Sequence, residues 1–482
     1  LRIEQLARFA KCRTGGRSLV MIFYGYTMEL PDPRSGHCNL DELLACGDVD
    51  LLASPVSYQD RAEGGVMAFM APADSIQAHG VLWMVEDDTR TFRALDQSEL
   101  DAHFNPTIRG VADTREVHRR NMAAVIARSC GLWWMDLWGS GWLRDDGIWD
   151  GLADLRALYR ARMGRPFRPR VAILSDEKSC LHLNNAFRHA VDLLYRANVP
   201  IYRCGFSMGL YTLRDAAEGR LPDSVRLAVV LDALDLPDDR RTGLRTHCLD
   251  RGVSLLFQYA CGLVQPIPEP EDPLDLPLLA LESPAPARFQ LERDGSWIGR
   301  DAPVFPRFHV REDPDITVLG RYADGLAAFA ERSVGTAGAR VLFCGAMGSD
   351  PAVLRLAARR CGVPIHLEEG DALYAGEGFL AFHASEGGHR VVRLPGWHRV
   401  TDECGTPIPV HWPDGPPLPD RPAEGTPVGE TPVAAIQLAV PAHSTRFLLR
   451  DDPETNEGAQ GIGETGTRES ITQEERAPWN RA

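Results

Sequence analysis

The sequence lacks any apolar run of about 18 residues, the length that a membrane-spanning helix needs, so we expect no membrane partner. It is also short of basic charge, since 52 Lys and Arg stand against 67 Asp and Glu, giving a net charge of −15. A negative surface repels phosphate backbones, and we therefore expect no nucleic-acid partner. The 11 cysteines include no C-x-x-C pair, so we predict neither a zinc site nor a disulfide framework, and the cysteine usage suits a reducing compartment. We expect no metal site and no cofactor.

The length predicts several domains. A chain of 482 residues corresponds to two to four of them. Hydrophobic residues make up 44% and charged residues 25%, as in ordinary globular proteins. The first residue is Leu1, and Leu1–Ala10 has the spacing of an amphipathic helix rather than of a signal peptide. We therefore expect the chain to begin inside a domain.

Residues 1–165 alternate short apolar runs with helical spacing, which predicts parallel α/β architecture. Helices are predicted at Thr114–Arg128 and Ile148–Met163. Polar and aromatic residues lie at the carboxyl ends of the runs, where a (β/α)₈ barrel carries its active site. The region is therefore predicted to form half of such a barrel. The predicted strands are Leu19–Tyr26, Val49–Pro55, Val81–Asp88 and Gly131–Gly139.

From about Arg170 the alternation restarts and predicts an open, doubly wound sheet. The predicted strands are Val171–Asp176, Val199–Cys204, Leu227–Leu234 and Val253–Cys261, with a helix at Asn184–Ala197. A Pro-rich and acidic insertion at 265–306 interrupts the domain. The later elements are helices at Tyr322–Arg332 and Pro351–Cys361, strands at Arg340–Cys344 and Val363–Leu367, and a hairpin of Phe379–His383 with His389–Leu394.

The domain boundaries follow from these patterns. Residues 1–165 are predicted to form the half-barrel and residues 166–412 the second α/β domain. Residues 413–482, rich in Pro, Gly, Glu and Thr, are predicted to be a disordered tail.

The segment VEDDTRT (85–91), at the end of an apolar strand, contains the strongest candidates for catalytic side chains. Side chains alternate along a strand, so Glu86, Asp88 and Arg90 share one face while Asp87 takes the other. Arg90 could hold a carboxylate ionised by charge pairing. The functional interpretation is a nucleophile or base at a barrel mouth. An acidic loop, a helix cap or an Arg-paired structural cluster explains the same residues.

Aromatic residues crowd the same strand ends and suit a carbohydrate cleft. The apolar C–H faces of sugar rings pack on flat aromatic rings, while sugar hydroxyls bind carboxylates, and glycosidases work with paired carboxylates. Core packing is the alternative, which we favour for Trp83 and Trp133. The candidate substrate-binding residues are Tyr24, Tyr26, Tyr58, Asp88, Arg90, Trp134, Asp136, Trp138 and Trp142.

A competing motif, GFSMG at 205–209, fits the G-x-S-x-G nucleophile elbow of serine hydrolases. The elbow requires a strand before Ser207 and a helix after it. Asp232 and His247 are the formal partners for a serine-hydrolase triad. A pattern with three fixed positions recurs by chance, so this remains a third hypothesis.

Taken in order, FYGY, DLLASPVSYQDR, HGVLWMVEDDTRT and GLWWMDLWG resemble the second half of the barrel of family-42 glycoside hydrolases, the β-galactosidase type. The region containing DSVRLAVVLDALDLPDD, GVSLLFQYACG and CGVPIHLEEGDALYAGEGFLAFHASEGGHRVVRLP resembles the family's trimerisation domain, a glutamine-amidotransferase-like, flavodoxin-like α/β fold. The resemblance covers about residues 1–412. It implies a homotrimer in the bacterial cytoplasm.

The resemblance also implies a retaining double displacement on a β-linked sugar such as galactose. Because VLWMVEDD corresponds to the seventh barrel strand, Glu86 takes the role of nucleophile. The acid/base glutamate of an Asn-Glu pair is expected upstream of residue 1, and residues 1–482 alone are then expected to be nearly inactive. A non-catalytic carbohydrate-binding or assembly protein on the same fold is the alternative.

Overall fold

The computed structural model describes residues 2–94, 105–137, 139–183, 189–262, 274, 277–281, 283–412 and 433–451. Ten α-helices lie in this part of the chain. They are α1 Arg2–Thr14, α2 Leu40–Ala45, α3 Ala73–Ala78, α4 Val111–Arg128, α5 Asp146–Arg162, α6 Glu177–Cys180, α7 Arg196–Tyr202, α8 Leu213–Ala217, α9 Asp238–His247 and α10 Pro351–Arg360. In the described residues, no helix combines the length and the apolar character needed to cross a membrane.

The first layer is an open sheet of four parallel strands in chain order. They are β1 Met21–Phe23, β2 Leu51–Pro55, β3 Leu82–Asp87 and β4 Gly131–Trp134. All four predicted runs therefore contain a strand. Helices alternate with these strands along the chain. Of these helices, α3 and α4 pack behind the sheet and bury Trp83 and Val85 of β3. The described residues contain no closed barrel.

This sheet is strongly curved. The rings of Phe23 on β1 and Trp133 on β4 lie 5.9 Å apart, edge to face. These strands are the two edges of the sheet and would stand about 14 Å apart if it were flat. We call the side carrying Phe23, Met84, Glu86 and Trp133 the open face, because the registers of β1 to β4 place these residues on one side.

The second layer is an eleven-stranded sheet in the described residues. Its parallel part has the order β17-β8-β7-β5-β6, and antiparallel strands extend it beyond β17. The strands are β5 Val171–Ser175, β6 Met208–Thr212, β7 Leu227–Val230, β8 Ser254–Gln258, β9 Leu278–Ala280, β11 Phe289–Leu291, β12 Trp297–Ile298, β14 Phe308–Val310, β15 Ile316–Tyr322, β16 Ala327–Val334 and β17 Ala339–Cys344. The parallel pairing of β8 with β17 confirms that one sheet runs across the insertion.

In the described residues of the insertion and of the part that follows α10, the regular elements are β-strands. Strands β10 Ala285–Pro286 and β13 Pro303–Val304 pair within the insertion, and further strands form two smaller sheets. These are β18 Ala372–Gly376, β19 Phe379–His383, β20 Gly388–Arg393, β21 Val400–Thr401, β22 Pro407–Ile408, β23 Ala435–Val440 and β24 Thr445–Arg450.

Four predicted elements are wrong. Val199–Cys204 is not a strand, because residues up to Tyr202 belong to α7. Tyr322–Arg332 is not a helix, since Asp324 and Gly325 form the turn between β15 and β16. Val363–Leu367 forms no strand. Residues 379–394 form no hairpin, because β19 pairs with β18 and β24, whereas β20 pairs with β23.

The predicted tail also needs correction. Residues 433–451 contain β23 and β24, which pair with β20 and β19 and so belong to the folded part. The remaining residues of that prediction, 413–432 and 452–482, lie outside the described part of the chain.

The two layers meet at the switch point of the second sheet, where β5 and β7 lie side by side but their connections run to opposite edges. The carboxylate of Glu177, at the start of α6, accepts hydrogen bonds from the backbone N–H groups of Leu40 and Asp41, at 2.5 and 3.0 Å. The first turn of α2 is thereby capped from the other layer. A side chain from the layer of the larger sheet thus holds the loop that follows β1.

Candidate active site

Glu86 lies near the carboxyl end of β3 on the open face. Its register neighbours are Pro55 on β2 and Trp133 on β4, so all three side chains point to the same side of the sheet. Glu86 is 7% exposed, whereas Trp133 is half-buried. The structure thus places this carboxylate at the strand end where barrel enzymes carry their chemistry.

The alternation expected for the acidic segment is observed. Asp87 points away from the open face toward α4, where its carboxylate accepts a hydrogen bond from Asn121 Nδ2 at 3.0 Å. The backbone N–H of Thr89 donates to the other oxygen of Asp87 at 3.2 Å. Asp87 is therefore a structural residue that ties the end of β3 to α4.

Asp88 is fully enclosed and forms an ion pair. Arg61 Nη2 lies 2.7 Å from Asp88 Oδ1, and neither side chain has any exposed surface. The Tyr58 hydroxyl donates to Asp88 Oδ2 at 3.2 Å, and the Arg61 guanidinium lies 4.1 Å from the centroid of the Tyr58 ring. Arg61 also donates to the backbone carbonyl oxygens of Ser57 and Val56. The ion pair therefore fixes the loop after β2 against the loop after β3.

The carboxylate of Glu86 carries no such bonds. In the described part of the chain, no group donates a hydrogen bond to it. Burial raises the pKa of Glu86, the negative charge of Asp88 raises it further, and the positive charge of Arg61 opposes both effects. Glu86 is thus a nearly buried carboxylate whose oxygens accept no hydrogen bond from the described residues, as a nucleophile or a base requires.

Two of the predicted aromatic residues lie beside Glu86. Burial, followed by the charge of Glu86, raises the pKa of the Tyr26 hydroxyl. The Tyr26 ring stacks on the His37 ring, with centroids 4.2 Å apart. Burial, followed by the charge of Asp88, raises the pKa of Tyr58 to about 12, and Glu86 contributes to that shift. Both hydroxyls are therefore neutral donors at neutral pH.

Other predicted substrate-binding residues lie elsewhere. Tyr24 is buried in the core, and its ring lies 5.3 Å from that of His37. Trp134 lies on the opposite side of the sheet from Glu86, within 6.3 Å of the His118 and Trp149 rings. Neither ring reaches the open face, because residues of odd and even position along a strand point to opposite sides.

Four further predictions fall on buried, loop-bound or undescribed residues. Trp142 is fully buried and does not line a cleft, and Arg90 is 1% exposed. Asp136 accepts hydrogen bonds from the backbone N–H groups of residues 140–142 and so holds its own loop together. Trp138 lies outside the described residues. The ion pair predicted for Arg90 is made by Arg61 instead, and Asp88 is enclosed by it rather than open to a ligand.

Arg61 and Glu29 also belong to the site, although no sequence pattern pointed to them. Glu29 accepts hydrogen bonds from Ser57 Oγ at 2.6 Å and from the Tyr58 backbone N–H at 3.2 Å, and burial raises its pKa. Both residues orient Tyr58 toward the carboxylates. The available signal was the loop SYQDR, which follows one strand and contains an arginine, whereas the next strand ends in three acids.

The serine-hydrolase prediction is wrong. Ser207 precedes β6 instead of following a strand, and its Oγ accepts a hydrogen bond from the Arg170 backbone N–H at 3.1 Å. Asp232 follows β7 and so lies at the carboxyl end of the parallel strands, whereas Ser207 lies at their amino end. The two side chains therefore cannot share a triad. Gly205 has φ +75°, and a Cβ there would overlap the backbone carbonyl oxygen of Leu367. Glycine at this position therefore allows the close approach of two backbone segments.

In the described part of the chain, no group of three or more His, Cys, Asp or Glu side chains is arranged to hold a metal ion.

No family model matches the sequence. No curated protein matches it either. Among solved structures, a catalytic mutant of Gan42B, a GH42 β-galactosidase from G. stearothermophilus, matches with TM-score 0.52 and 10% identity over 85% of this chain and 60% of that chain. The β-galactosidase of Bacillus circulans sp. alkalophilus matches with TM-score 0.49 and 10% identity, over 87% and 67% of the two chains.

The Gan42B match confirms the fold class that the sequence resemblance implied. The chain has a GH42-like α/β fold with parallel-strand sheets, and it spans about 60% of the length of Gan42B. At 10% identity the likeness concerns the fold alone.

Proposed function

We propose that the protein is a retaining glycoside hydrolase that cleaves β-linked glycosides, with Glu86 as its nucleophile. One observation carries the proposal: the Glu86 carboxylate lies on the open face at the carboxyl end of β3, nearly buried and without a hydrogen-bond donor among the described residues. A structural carboxylate in such surroundings would be expected to have a partner, as Asp87 and Asp88 do.

In the proposed reaction, one oxygen of Glu86 attacks the anomeric carbon while the bond from that carbon to the leaving oxygen breaks. The product of this step is a covalent glycosyl-enzyme, which water then hydrolyses. Glu86 must be ionised to attack. The Arg61 charge favours that state, and the ion pair with Asp88 holds Arg61 in place.

The neighbouring side chains suit a sugar. Near Glu86, Tyr26 offers a hydroxyl donor, and the Tyr58 hydroxyl, which itself donates to Asp88, can accept a hydrogen bond from a sugar hydroxyl. The half-buried ring of Trp133, the register neighbour of Glu86, offers a flat apolar surface. We propose that Tyr26 and Tyr58 bind sugar hydroxyls and that Trp133 packs against the ring of the sugar.

A retaining hydrolase needs a second carboxyl group about 5–5.5 Å from the first. Asp88, the carboxylate whose charge acts most strongly on Glu86, is enclosed and bonded to Arg61 and Tyr58, so it is unsuited to proton transfer. We propose that the acid/base group lies outside the described residues.

The finer points of the proposal follow the sequence resemblance and the fold. Gan42B is named a β-galactosidase, and we propose β-galactosides as the substrate class. We further propose a homotrimer in the bacterial cytoplasm. Sedimentation equilibrium tests the trimer, and a monomer mass at micromolar concentration would contradict it.

The decisive experiment does not depend on the acid/base group. A 2,4-dinitrophenyl 2-deoxy-2-fluoro-β-galactoside has a leaving group that needs no protonation, and the fluorine slows hydrolysis of the adduct. We expect intact-mass spectrometry of the full chain to show one covalent glycosyl group, and peptide mapping to place it on Glu86. Glu86→Gln should abolish labelling, whereas Glu42→Gln, at an exposed carboxylate of α2, should not.

A second candidate is a non-catalytic carbohydrate-binding protein, which is favoured by the lack of a second suitable carboxyl beside Glu86 in the described residues. It predicts that galactosides bind reversibly, that no adduct forms, and that Glu86→Gln leaves affinity unchanged. Labelling of a residue other than Glu86 would contradict both candidates.

A further inference from the structure

A cavity of about 770 Å³ lies at the far end of the larger sheet from the Glu177 contact. Its walls come from the linker between α5 and β5, the amino-terminal edge of the sheet around Ser207, and the turn between β18 and β19. None of the candidate active-site residues lines it. Cavities of this size at the junction of several substructures are typical of small-molecule sites.

The charge of this cavity is positive, although the chain carries −15 overall. Both acids in its wall are neutralised: Glu377 accepts from Arg450 Nη2 at 2.9 Å, and Asp223 pairs with Arg251. Arg168 and Arg170 also line the cavity, and neither guanidinium has a carboxylate partner within 4 Å in the described part of the chain. Two positive charges therefore remain without a counterion from the protein.

A hydrogen-bond acceptor completes the polar part. His366 Nδ1 lies 2.8 Å from the backbone carbonyl oxygen of Arg393, and because a carbonyl only accepts, the proton is on Nδ1. Nε2 is then the accepting nitrogen of the ring. Burial and the nearby charge of Arg170 lower the pKa of His366, so the ring is neutral at neutral pH. A ligand hydroxyl can donate to it.

The remaining wall is apolar and aromatic. Phe167, Phe379 and Trp397 line the cavity, and Trp397 comes from the chain that follows β20. Flat aromatic rings bind the apolar faces of small cyclic molecules. The cavity thus combines cations, one acceptor and aromatic surface, which is the set needed for a cyclic molecule bearing hydroxyls and one anionic group.

We propose that this cavity binds a small hydroxylated organic anion, whose carboxylate or phosphate lies between Arg168 and Arg170 and whose ring packs on Trp397. Arginine favours both kinds of anion because its planar donors match two oxygens at once. The proposal stands on this cavity alone and does not depend on the role of Glu86.

Calorimetric titration of the full chain tests it, with glucose 6-phosphate, glucuronate and neutral glucose as probes. We expect at least one of the two anions to bind with one-to-one stoichiometry, and glucose to bind at least about tenfold more weakly. Comparing the two anions shows whether phosphate or carboxylate is the preferred group. Raising the salt concentration should weaken binding of the anion, since exposed charges are screened.

The variant Arg168→Gln/Arg170→Gln should weaken binding of the anion by at least about tenfold. Both arginines are exposed, and the backbone N–H that Arg170 donates to Ser207 is kept, so the variant should fold. Arg13→Gln/Arg17→Gln removes the same charge from the region around the end of α1 and should leave affinity unchanged. Failure of both anions to bind, or equal losses in the two double variants, would overturn the proposal.

Discussion

Arg61 and Asp88 meet at 2.7 Å with no exposed surface on either side chain, and they join the loops that follow two neighbouring strands. A pair in such surroundings contributes mainly through the penalty for breaking it, because the remaining partner keeps a buried, uncompensated charge. The same pair sets the charge that Glu86 experiences, so stability and the proposed chemistry depend on one contact.

Arg61→Met should lower the free energy of unfolding by about 3–5 kcal/mol, because it leaves Asp88 charged, buried and without its ion-pair partner. Urea denaturation followed by circular dichroism measures the change. Arg34→Met removes an arginine from an exposed ion pair with Asp32 and serves as the control, with no change in the midpoint expected. Equal midpoints for the two variants would show that the buried pair is not needed.

The rate of labelling at Glu86 should fall as the pH is lowered, with a midpoint above the ordinary pKa of glutamate. The reason is that burial and the charge of Asp88 raise the pKa of Glu86, and only the ionised form attacks. The measurement is the rate of dinitrophenolate release between pH 4 and pH 8. A midpoint at or below the ordinary value would contradict the arrangement of charges described here.

The protein should become less stable as the pH rises from about 5 to 8. Burial, followed by the charge of Asp41, raises the pKa of Glu177 to about 7, and burial raises that of Asp41 to about 6. For carboxyls with raised pKa values, the stabilisation is complete below the unfolded pKa of about 4 and is lost as the pH rises through the folded value. Thermal unfolding at a series of pH values measures the slope.

Glu177→Gln should flatten that slope by an amount of the order of 2 kcal/mol between pH 5 and pH 8. The part that remains belongs to Asp41. Glu42→Gln, at an exposed carboxylate of the same helix α2, should retain the full slope. If the Glu177 variant loses stability equally at every pH, its role is capping alone.

Gly205→Ala should destabilise the protein by about 2 kcal/mol or more, because alanine is strained at φ +75° and its Cβ would overlap the Leu367 carbonyl. Ser207→Ala should cost only about 1 kcal/mol, the worth of one hydrogen bond from the Arg170 backbone N–H. Chemical denaturation separates the two effects. The opposite ranking would contradict the structural explanation of the GFSMG motif.

The four-stranded sheet was predictable because each of its strands is a local apolar run. In β3, the period of two also separated Glu86 from Asp87 correctly. The alternation of side chains along β3 could not reveal the partner of Asp88. Arg61 lies 27 positions earlier and reaches Asp88 only because β2 and β3 are neighbours. Nor did the alternation show that Trp142 is enclosed by residues distant in the sequence.

The wrong predictions for the later part of the chain arise because strand pairing there joins residues that are far apart in the sequence. The alanines of Tyr322–Arg332 favour a helix. The segment instead contains the Asp324-Gly325 turn and the start of β16, which pairs with β15 and β17. Strands β19 and β20 pair with β24 and β23, whose partner residues come about 40 to 70 positions later, across a stretch rich in proline and glycine. Local patterns carry no information about such partners.

The contact of Glu177 with the start of α2 places a segment of the same chain at the carboxyl end of β5. Open α/β sheets commonly bind a diffusible molecule at this end, whereas here Glu177 holds two peptide N–H groups of the same polypeptide. Because these groups are covalently attached, their effective concentration at Glu177 is fixed and high. The four-stranded sheet is thereby bound to the larger sheet as an intramolecular ligand.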